Sequence, residues 1–433
     1  MPTLLMIESW LQSTGLSLPP LLRSLGHEYV LVTRDPQVYT LPGGGTHPVL
    51  ALAAEVVVAE TNDDDAVVAA ARRVAARHDL GGVLTTCDYY LPTVAVVAEA
   101  IGLPGSPAGV LRTATNKHLV RAAVARAGIP DVPHAVGATW DETRAAAATL
   151  GYPVVVKPVD LNSGTAVRRV ADETALADAF TEITGPERNT RDQPLARLAL
   201  VERVLDGPEY SVEAVTRDGV TTVLGVTAKS VTEVSRPVAG GADAVGYVES
   251  GHDFPAALDG AARTAITAHV ARVLGAVGYT HGISHTEVRL TADGPRLVEL
   301  NPRQGGGYIF DLVRLVTGYD PLRVLTDLAL GREPTAETPA AGSAAVRFLL
   351  APEDGFLSGV SGADALPDDP RVFAHDLPRP GTVLRAADNN DRIGHVVVAD
   401  RDGDRASTWA DEILDSLTMK VGHDAPLPAH VHS

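Results

Sequence analysis

Two acidic residues and an amide are expected on one face of a hairpin near residue 293. Segment 285–301 contains two runs of alternating polarity joined by turn residues around Asp293, and this pattern predicts two antiparallel strands. A turn centred on Asp293 places Glu287 directly opposite Glu299, and the two-residue period of a strand puts Asn301 on the same face as Glu299. The spacing therefore predicts a cluster of three oxygen-bearing side chains.

Such a cluster is typical of a magnesium site. Two carboxylates that face each other across a strand pair repel unless a cation compensates them. Two carboxylates and an amide suit Mg²⁺, which keeps part of its water and takes further ligands from nucleotide phosphates. Arg303 and the glycines Gly305, Gly306 and Gly307 follow directly, and a cation beside bare backbone favours phosphate binding. The alternative is the solvated charged face of an exposed hairpin.

A second segment is typical of a flap that closes over phosphates. A β-branched run ends near Lys157, and the polar turn 160–165, which contains Ser163 and Gly164, separates it from another apolar run. A lysine at the base of such a flap and free N–H groups at its tip could bind a triphosphate and exclude water. An ordinary hairpin with an exposed lysine is the alternative.

The lysines are informative because they are rare. The chain has 36 basic residues, of which only Lys117, Lys157, Lys229 and Lys420 are lysines. Lys117 is predicted to lie in the first turn of a helix that Thr115 or Asn116 can cap. A cation is poorly placed for the helix dipole there, and a nearby anionic ligand would resolve this conflict.

A third segment could bind a nucleoside. An apolar strand reaches Glu202, a Gly-Pro turn follows at 207–208, and a second strand begins near Glu209. Free edge amides in such an extended segment could pair with adenine, and the carboxylate of Glu209 could accept two ribose hydroxyls. This pattern alone is weakly specific.

Composition narrows the class of protein. Lys+Arg 36 against Asp+Glu 54 gives a formal net charge of -18, which disfavours nucleic acid and anionic membranes as partners. The single cysteine, Cys87, gives no internal disulfide. The first ten residues lack the basic flank of a signal peptide, and Glu8 ends their apolar run. We therefore expect a cytoplasmic protein without membrane spans.

The strands and helices that must position these residues follow two patterns, first βαβ and then α+β. The first 110 residues alternate strands and helices, with strands at Leu4–Ile7, Tyr29–Thr33, Val56–Ala59 and Gly82–Thr86 and helices near 64–78 and 91–101. This βαβ pattern predicts a parallel sheet covered by helices. Two α+β stretches follow, at roughly 130–200 and 200–335. A Pro/Gly/Ala-rich linker at Glu333–Gly342 then precedes a small β-rich region that is expected to end in a helix near 407–418.

The order of these motifs closely resembles the ATP-grasp superfamily of carboxylate–amine ligases. The resemblance spans residues 1–335 and rests on Lys117, Lys157 with its glycine loop, Glu202 to Glu209, Glu287 and the Glu299-Leu-Asn-Pro-Arg303 motif. Within the superfamily the sequence is most similar to the L-amino acid ligases, which carry an extra C-terminal subdomain. The resemblance implies an ATP-grasp fold with an N-terminal α/β pre-grasp domain (1–112), an ATP-grasp domain (113–335, lid subdomain about 130–200) and a C-terminal β-rich subdomain (336–433).

The resemblance also implies roles for the residues that match its motifs. Nucleotide phosphates would contact Lys117, Lys157, Ser163 and Gly164, the adenine would contact Glu202 and the backbone of Val204, and the ribose would contact Glu209. Glu287, Glu299 and Asn301 would hold Mg²⁺, with Mn²⁺ as an alternative. Arg303 would stabilise the transferred phosphoryl group, and Lys229 would be a basic catalytic residue on a strand bordering the nucleotide.

Substrate residues are implied in the same way. The stretch from Glu249 through His252 resembles a loop whose Glu and His approach the amino-acid substrate, although a solvated loop is an equal alternative. Gly305, Gly306 and Gly307 would also contact substrate. Some relatives carry a bulky side chain at the position of Gly307, so this protein is expected to accept a larger substrate.

The expected activity is ATP-dependent amide formation through an acyl phosphate, with release of ADP and phosphate. The expected partners are small carboxylates and amines, amino acids in particular, and the relatives make a homodimer the expected assembly. The alternatives are an ATP-grasp carboxylase, a nucleotide-precursor ligase, or a catalytically inactive nucleotide-binding regulator.

Overall fold

The first part of the chain folds into a parallel sheet between helices. The computed structural model describes residues 2–41, 44–236, 244–384 and 389–422. This part comprises β1 (Thr3–Ile7), α1 (Thr14–Ser24), β2 (Tyr29–Thr33), α2 (Pro48–Ala51), β3 (Glu55–Val58), α3 (Asp64–Ala75), β4 (Leu80–Leu84), α4 (Leu91–Ile101) and α5 (Ala108–Ala114). The strand order is β3-β2-β1-β4 and all pairs are parallel. The predicted βαβ pattern is confirmed.

Local sequence explains this layer arrangement. Successive side chains of a strand point to opposite faces of the sheet, and in β1 Leu5 and Ile7 pack in one core cluster whereas Leu4 and Met6 pack in another. Both faces are therefore covered by helices. Asp63 caps α3, accepting a hydrogen bond from the backbone N–H of Ala66.

The central part of the chain forms most of one large sheet. It comprises α6 (Lys117–Arg126), β5 (His134–Gly137), α7 (Trp140–Leu150), β6 (Val154–Pro158), β7 (Arg168–Val170), α8 (Glu173–Thr184), β8 (Ala199–Arg203), β9 (Glu209–Arg217), β10 (Val220–Arg236), β11 (Ala244–Phe254), α9 (Gly260–Val277), β12 (Gly282–Thr291), β13 (Gly294–Asn301), α10 (Ile309–Thr317) and α11 (Pro321–Ala329). The strands follow the order β13-β12-β9-β10-β11-β7-β6-β8-β5. β6 and β7 pair antiparallel on either side of the predicted flap.

The hairpin of β12 and β13 has the predicted register at Glu287 and Glu299. Glu287 and Glu299 are Cα partners. Nearer the turn the pairing is shifted by one residue, with Val288 opposite Leu297, so Val298 is the extra residue of a β-bulge. The turn is one residue shorter than predicted, and the bulge restores the predicted pairing.

The C-terminal part extends the large sheet and adds a small one. It comprises β14 (Ser343–Leu349), β15 (Gly355–Ser361), β16 (Val372–Asp376), β17 (Val383–Leu384), β18 (Gly394–Asp400), α12 (Ala406–Ser416) and β19 (Thr418–Gly422). β14 joins β11 to β18, which also pairs with β16, while β15, β17 and β19 form a three-stranded sheet. The expected β-rich character is confirmed. The helix predicted near 407–418 is confirmed as α12, but it does not end this region, because β19 follows it.

Within the described ranges, none of the helices is long and apolar enough to cross a bilayer.

Candidate active site

A cavity of about 250 Å³ opens between the flap, the strands from β8 to β13 and the C-terminal part. The predicted residues that line it are Lys157, Ser163, Gly164, Glu202, Val204, Glu209, Lys229, Glu249, Glu287, Glu299, Asn301, Arg303, Gly306 and Gly307. Lys117 instead lines an adjoining cavity of about 500 Å³, which shares Glu299, Asn301 and Arg303 with the first. His252 and Gly305 are buried and line neither cavity.

Glu202 is the centre of a buried ion-pair network. Its carboxylate oxygens lie 2.8 Å from Arg121 Nε and 2.8 Å from Lys157 Nζ. Burial alone would raise the pKa of this carboxyl, but the two cations outweigh burial and lower the pKa of Glu202 to about 2. Glu202 is therefore ionised, and Lys157 is fixed at the base of the flap.

The β-bulge in β13 supplies an acceptor to the same network. The carbonyl of Val298 accepts hydrogen bonds from Lys157 Nζ at 3.1 Å and from Arg121 Nη2 at 3.0 Å. A bulge residue is left out of the ladder, so its backbone groups are available for other partners. The bulge therefore orients both cations as well as aligning the two glutamates of the hairpin.

The residues predicted to bind the nucleoside lie together at one end of the cavity. Val204 follows β8 directly, and Glu209 begins β9. Arg289 connects this segment to β12, because its Nε lies 3.1 Å from Glu209 Oε2 and its Nη1 donates to the Leu205 carbonyl at 2.9 Å. The connection between the two strands is thus held against the hairpin.

Lys229 on β10 pairs with three carboxylates. Its Nζ lies 3.2 Å from Glu209 Oε1, 3.0 Å from Glu249 Oε1 and 2.8 Å from Glu287 Oε1. Burial opposes the charge of this ammonium, but the three carboxylates raise the pKa of Lys229 well above its ordinary value. Burial would raise the pKa of Glu249 and of Glu287, but the positive charge of Lys229 outweighs this effect and lowers both pKa values. One lysine therefore stabilises an acidic cluster drawn from three strands.

His285 is a second cationic partner of Glu287 and also pairs with Glu213. Its Nδ1 lies 2.8 Å from Glu213 Oε1 and its Nε2 lies 3.1 Å from Glu287 Oε1. Burial would lower the pKa of the imidazole, but the two carboxylates raise the pKa of His285 to about 9. His285 is therefore protonated at neutral pH and donates to both carboxylates.

Glu299 is paired with Lys117. The Lys117 Nζ lies 3.0 Å from Glu299 Oε1 and also donates to the Leu161 carbonyl. Lys117 is the first residue of α6, as predicted, but Asn116 makes no side-chain capping bond there. In this structure the anion that compensates Lys117 at the start of α6 is therefore the carboxylate of Glu299.

The donor set fits a magnesium ion that also binds nucleotide. Glu287, Glu299 and Asn301 line the same cavity and offer hard oxygen ligands. Across the described part of the chain, no group of three or more His, Cys, Asp or Glu side chains is arranged to hold a metal ion. Two carboxylates and one amide leave coordination positions for water and phosphate, which is the usual mode of Mg²⁺ binding.

Arg303 lies where the two cavities meet. Its Nε pairs with Asp88 Oδ2, its Nη1 donates to the Gln304 carbonyl at 2.8 Å, and its Nη2 lies 3.5 Å from Asn301 Oδ1. Burial disfavours the charge, but Asp88 outweighs it and raises the pKa of Arg303. The guanidinium thus carries a fixed positive charge next to the predicted metal ligands.

The flap tip has the backbone conformation that a glycine favours. Ser163 and Gly164 have φ values of 58° and 70°, in the left-handed region. A Cβ on Gly164 would lie 3.5 Å from Asn389 Nδ2. The tip therefore approaches the C-terminal part across the cavity.

The predicted substrate segment from Glu249 is a strand rather than a loop. Glu249 and His252 belong to β11, which pairs with β10 on one side and β14 on the other. His252 is fully buried; its Nε2 lies 3.2 Å from Glu249 Oε2 and its Nδ1 2.9 Å from the Gly307 carbonyl. The loop prediction is wrong, because this segment bridges the central and C-terminal strands.

Several residues of the site are absent from the predicted set, namely Asp88, Arg121, His285, Asn389 and Arg392. Asp88 follows the carboxyl end of β4, where parallel sheets commonly place functional groups. Arg121 follows Lys117 by one helical turn and interrupts the apolar face of its helix. Asn389 and Arg392 come from the C-terminal part, and no local pattern marks them.

Three family models match the chain. They are the ATP-grasp N-terminal domain at residues 23–105, the ATP-grasp domain at residues 150–311 and the L-amino acid ligase C-terminal domain 2 at residues 347–422. The second match contains the flap, Glu202, Lys229 and the Glu287–Glu299 hairpin. The chain therefore belongs to the ATP-grasp superfamily.

Its domain composition makes it an ATP-grasp ligase close to the L-amino acid ligases. The solved L-amino acid ligase of Bacillus licheniformis superposes with a TM-score of 0.73 at 22% identity, covering 98% of this chain and 99% of that one. The biotin carboxylase domain dimer of Hydrogenobacter thermophilus 2-oxoglutarate carboxylase, solved with MgADP, superposes with a TM-score of 0.64 at 16% identity, covering 97% of this chain and 91% of that one. At these identities the superpositions establish the fold.

Sequence relatives agree with this placement. Uncharacterized protein y4rH of Sinorhizobium fredii is 28% identical over 96% of this chain and 83% of its own length. The alanine–anticapsin ligase of Bacillus subtilis is 24% identical over 60% of this chain and 56% of its own length. The chain thus spans about half of the length of that ligase.

Proposed function

We propose that this protein joins the carboxylate of one amino acid, or of a related carboxylic acid, to the amine of a second, consuming ATP and releasing ADP and phosphate. The observation that carries this proposal is the single cavity in which Glu287, Glu299, Asn301 and Arg303 face Lys157 and the flap. This combination of hard oxygen ligands and fixed cations suits phosphoryl transfer to a carboxylate. The B. subtilis relative is named as a ligase that joins alanine to anticapsin, which supports amino acids as substrates.

The first step would activate the carboxylate. A carboxylate oxygen attacks the γ-phosphorus of ATP, the bond to the β,γ-bridging oxygen breaks, and an acyl phosphate and ADP result. Magnesium, when bound, would offset the charge on the phosphates. Arg303 would stabilise the phosphoryl group in transfer, and the buried Lys157 would hold the nucleotide phosphates.

The second step would form the amide. The lone pair of a free amine attacks the acyl carbon, phosphate leaves with the bonding electrons, and the nitrogen loses a proton. Glu249 faces the cavity and would bind an ammonium group of a substrate. His252, which is fully buried, would position Glu249 through their hydrogen bond. Closure of the flap would exclude the water that otherwise hydrolyses the acyl phosphate.

The test is a phosphate-release screen of amino acids, singly and in pairs, with the product mass determined. Release that depends on two amino acids, together with a product mass equal to their sum less one water, would support the proposal. In Arg303→Ala we expect the rate of ADP release that accompanies amide formation to fall by about 10²–10³-fold or more. ATP binding should stay measurable. Full turnover in that variant would remove Arg303 from the mechanism.

The same screen separates the alternatives. ADP formation that depends on bicarbonate or biotin would indicate a carboxylase, and dependence on a nucleotide precursor would indicate that class of ligation. Binding of ATP without turnover under any condition would indicate a regulator. The homodimer, the cytoplasmic location and the use of Mn²⁺ remain predictions, and sedimentation of the purified chain tests the first.

A further inference from the structure

Asp88 connects three parts of the molecule through one carboxylate. It lies in the 3₁₀ turn Asp88–Tyr90 that follows β4. Its Oδ1 accepts a hydrogen bond from Trp10 Nε1 at 3.2 Å, and its Oδ2 accepts from Asn162 Nδ2 at 3.1 Å and from Arg303 Nε. The N-terminal sheet, the flap and the predicted catalytic arginine therefore share a single acid.

The contact with Asp88 determines how Arg303 presents its charge. A guanidinium is planar and has five N–H donors, so fixing Nε on Asp88 and Nη1 on the Gln304 carbonyl fixes the plane. Nη2 then lies 3.5 Å from Asn301 Oδ1, on the wall that the two cavities share. Arg303 and Asp88 are mostly buried, with side-chain exposures of 18% and 17%, which favours a stable geometry.

The contact with Asn162 determines where the flap tip lies. Asn162 immediately precedes Ser163 and Gly164, which line the cavity. Besides its bond to Asp88, Asn162 accepts a hydrogen bond from the Tyr89 hydroxyl at 3.4 Å. Two neighbouring residues of the N-terminal domain thus hold the flap at the position from which it covers the cavity.

We propose that Asp88 is a positioning residue that couples closure of the flap to the orientation of Arg303. The inference rests on the proposed ligase function for its catalytic consequence, but the coupling itself is a property of the fold. When Asn162 reaches Asp88, the same carboxylate holds Arg303 for phosphoryl transfer, so the site excludes water and orients its cation together. Asp88 itself does not touch the reacting atoms.

The variants separate this role from general interdomain packing. Asp88→Asn keeps the shape but removes the charge, Asp88→Ala removes both, and Asn162→Ala removes only the flap contact. The matched control is Asp192→Asn. Asp192 pairs with Arg34 at 2.8 Å between the N-terminal domain and the loop before β8, is half exposed, and lines neither cavity.

Steady-state kinetics give the first readout. In Asp88→Asn we expect kcat for amide formation to fall by about 10–100-fold, as for a displaced catalytic group, with KM for the amino acids within about threefold. The ratio of ADP to amide should rise above one in Asp88→Asn and in Asn162→Ala, because water reaches the acyl phosphate. Asp192→Asn should behave as the wild type. The proposal would be overturned if kcat falls only in proportion to the loss of thermal stability and the ratio of ADP to amide does not change.

Hydrogen exchange of the substrate-free protein gives a readout that does not depend on activity. We expect faster exchange over residues 159–167 in both Asp88 variants and in Asn162→Ala, but not in Asp192→Asn. Equal rates in Asp88→Asn and the wild type would overturn the coupling even if the wild type is a ligase. If the wild type forms no amide with any pair of amino acids, the proposed function fails, and the exchange rates alone decide the role of Asp88.

Discussion

Lys117 Nζ lies 3.0 Å from Glu299 Oε1, so a lysine expected to bind phosphate is paired with a carboxylate expected to bind magnesium. The opposite carboxylate, Glu287, has the same kind of partner in Lys229 at 2.8 Å. A metal ion and an ammonium group compete for the same carboxylate oxygens. Under the proposed function, magnesium entering with a nucleotide would replace Lys117 at Glu299, and the nucleotide phosphates would become the partners of Lys117.

The first prediction follows from this exchange of partners. Magnesium alone should bind weakly, because both carboxylates already have protein cations, whereas magnesium with ADP should bind with measurable heat. In the double variant Glu287→Gln/Glu299→Gln we expect the magnesium dependence of ADP binding to weaken by at least about tenfold. Calorimetric titration of ADP with and without Mg²⁺ measures this, with the exposed Glu333→Gln as control. Equal ADP affinity with and without magnesium in the wild type would contradict the metal site.

The second prediction concerns stability and pH. The folded-state pKa of His285, about 9, exceeds the ordinary value of 6.5, so its stabilising contribution is fully present below pH 6.5 and is lost as the pH rises through 9. A shift of this size corresponds to about 3 kcal/mol. The free energy of unfolding should therefore fall between pH 6 and pH 10 in both proteins, but the fall should be about 3 kcal/mol larger in the wild type than in His285→Gln. Urea unfolding at several pH values measures the difference, and parallel curves would contradict the assignment.

The parts of the site that sequence could predict are those encoded by local periodicity. The alternation on either side of one turn predicts the hairpin that carries Glu287 and Glu299, and the structure has this hairpin, although the pairing of the two glutamates also needs the bulge at Val298. The strand–loop–strand flap after Lys157 is likewise a short-range pattern. The strand β11 was missed because its sequence contains glycine, histidine and aspartate, and its extended form depends on pairing with β10 and β14.

The parts that sequence could not predict depend on long-range packing. Asp88 and Arg303 are 215 positions apart, and only the docking of the N-terminal sheet against the hairpin brings them together. The triple pairing of Lys229 likewise needs β12, β9, β10 and β11 to be neighbours in that order. The bulge at Val298 has no clear sequence pattern, yet it aligns the two glutamates and supplies a carbonyl to Lys157.

The third prediction concerns the network around Glu202. Removing one partner of a buried ion pair leaves an uncompensated charge, which typically costs about 3–5 kcal/mol. In Glu202→Gln, two cations, Arg121 and Lys157, lose their common carboxylate, so we expect a loss of stability in that range. The exposed pair of Arg112 and Asp64 gives the control, since Asp64→Asn should cost less than about 1 kcal/mol. Urea unfolding of both variants checks the contrast, and similar losses would mean that the buried network is dispensable.

The fourth prediction compares two adjacent glycines that both line the cavity. A Cβ on Gly307, whose φ is 56°, would lie 2.7 Å from His252 Cε1, whereas a Cβ on Gly306 would meet nothing within 4 Å. Gly307 is therefore required by the backbone and by the histidine behind it, in addition to any effect on substrate size. We expect Gly307→Ala to lose at least about 1–2 kcal/mol of stability, and Gly306→Ala to stay within about 0.5 kcal/mol of the wild type.

The kinetics of the same pair test whether His252 acts through Glu249. Displacement of His252 in Gly307→Ala should loosen Glu249 and raise KM for the amino acid whose ammonium group Glu249 binds, with a smaller effect on KM for ATP. Gly306→Ala narrows the cavity without moving His252, so its effect should grow with the size of the substrate side chain. Measuring KM for small and large amino acids in both variants separates the two effects. The same size dependence in both would mean that Gly307 acts only by leaving space, and that the hydrogen bond between His252 and Glu249 does not position the substrate.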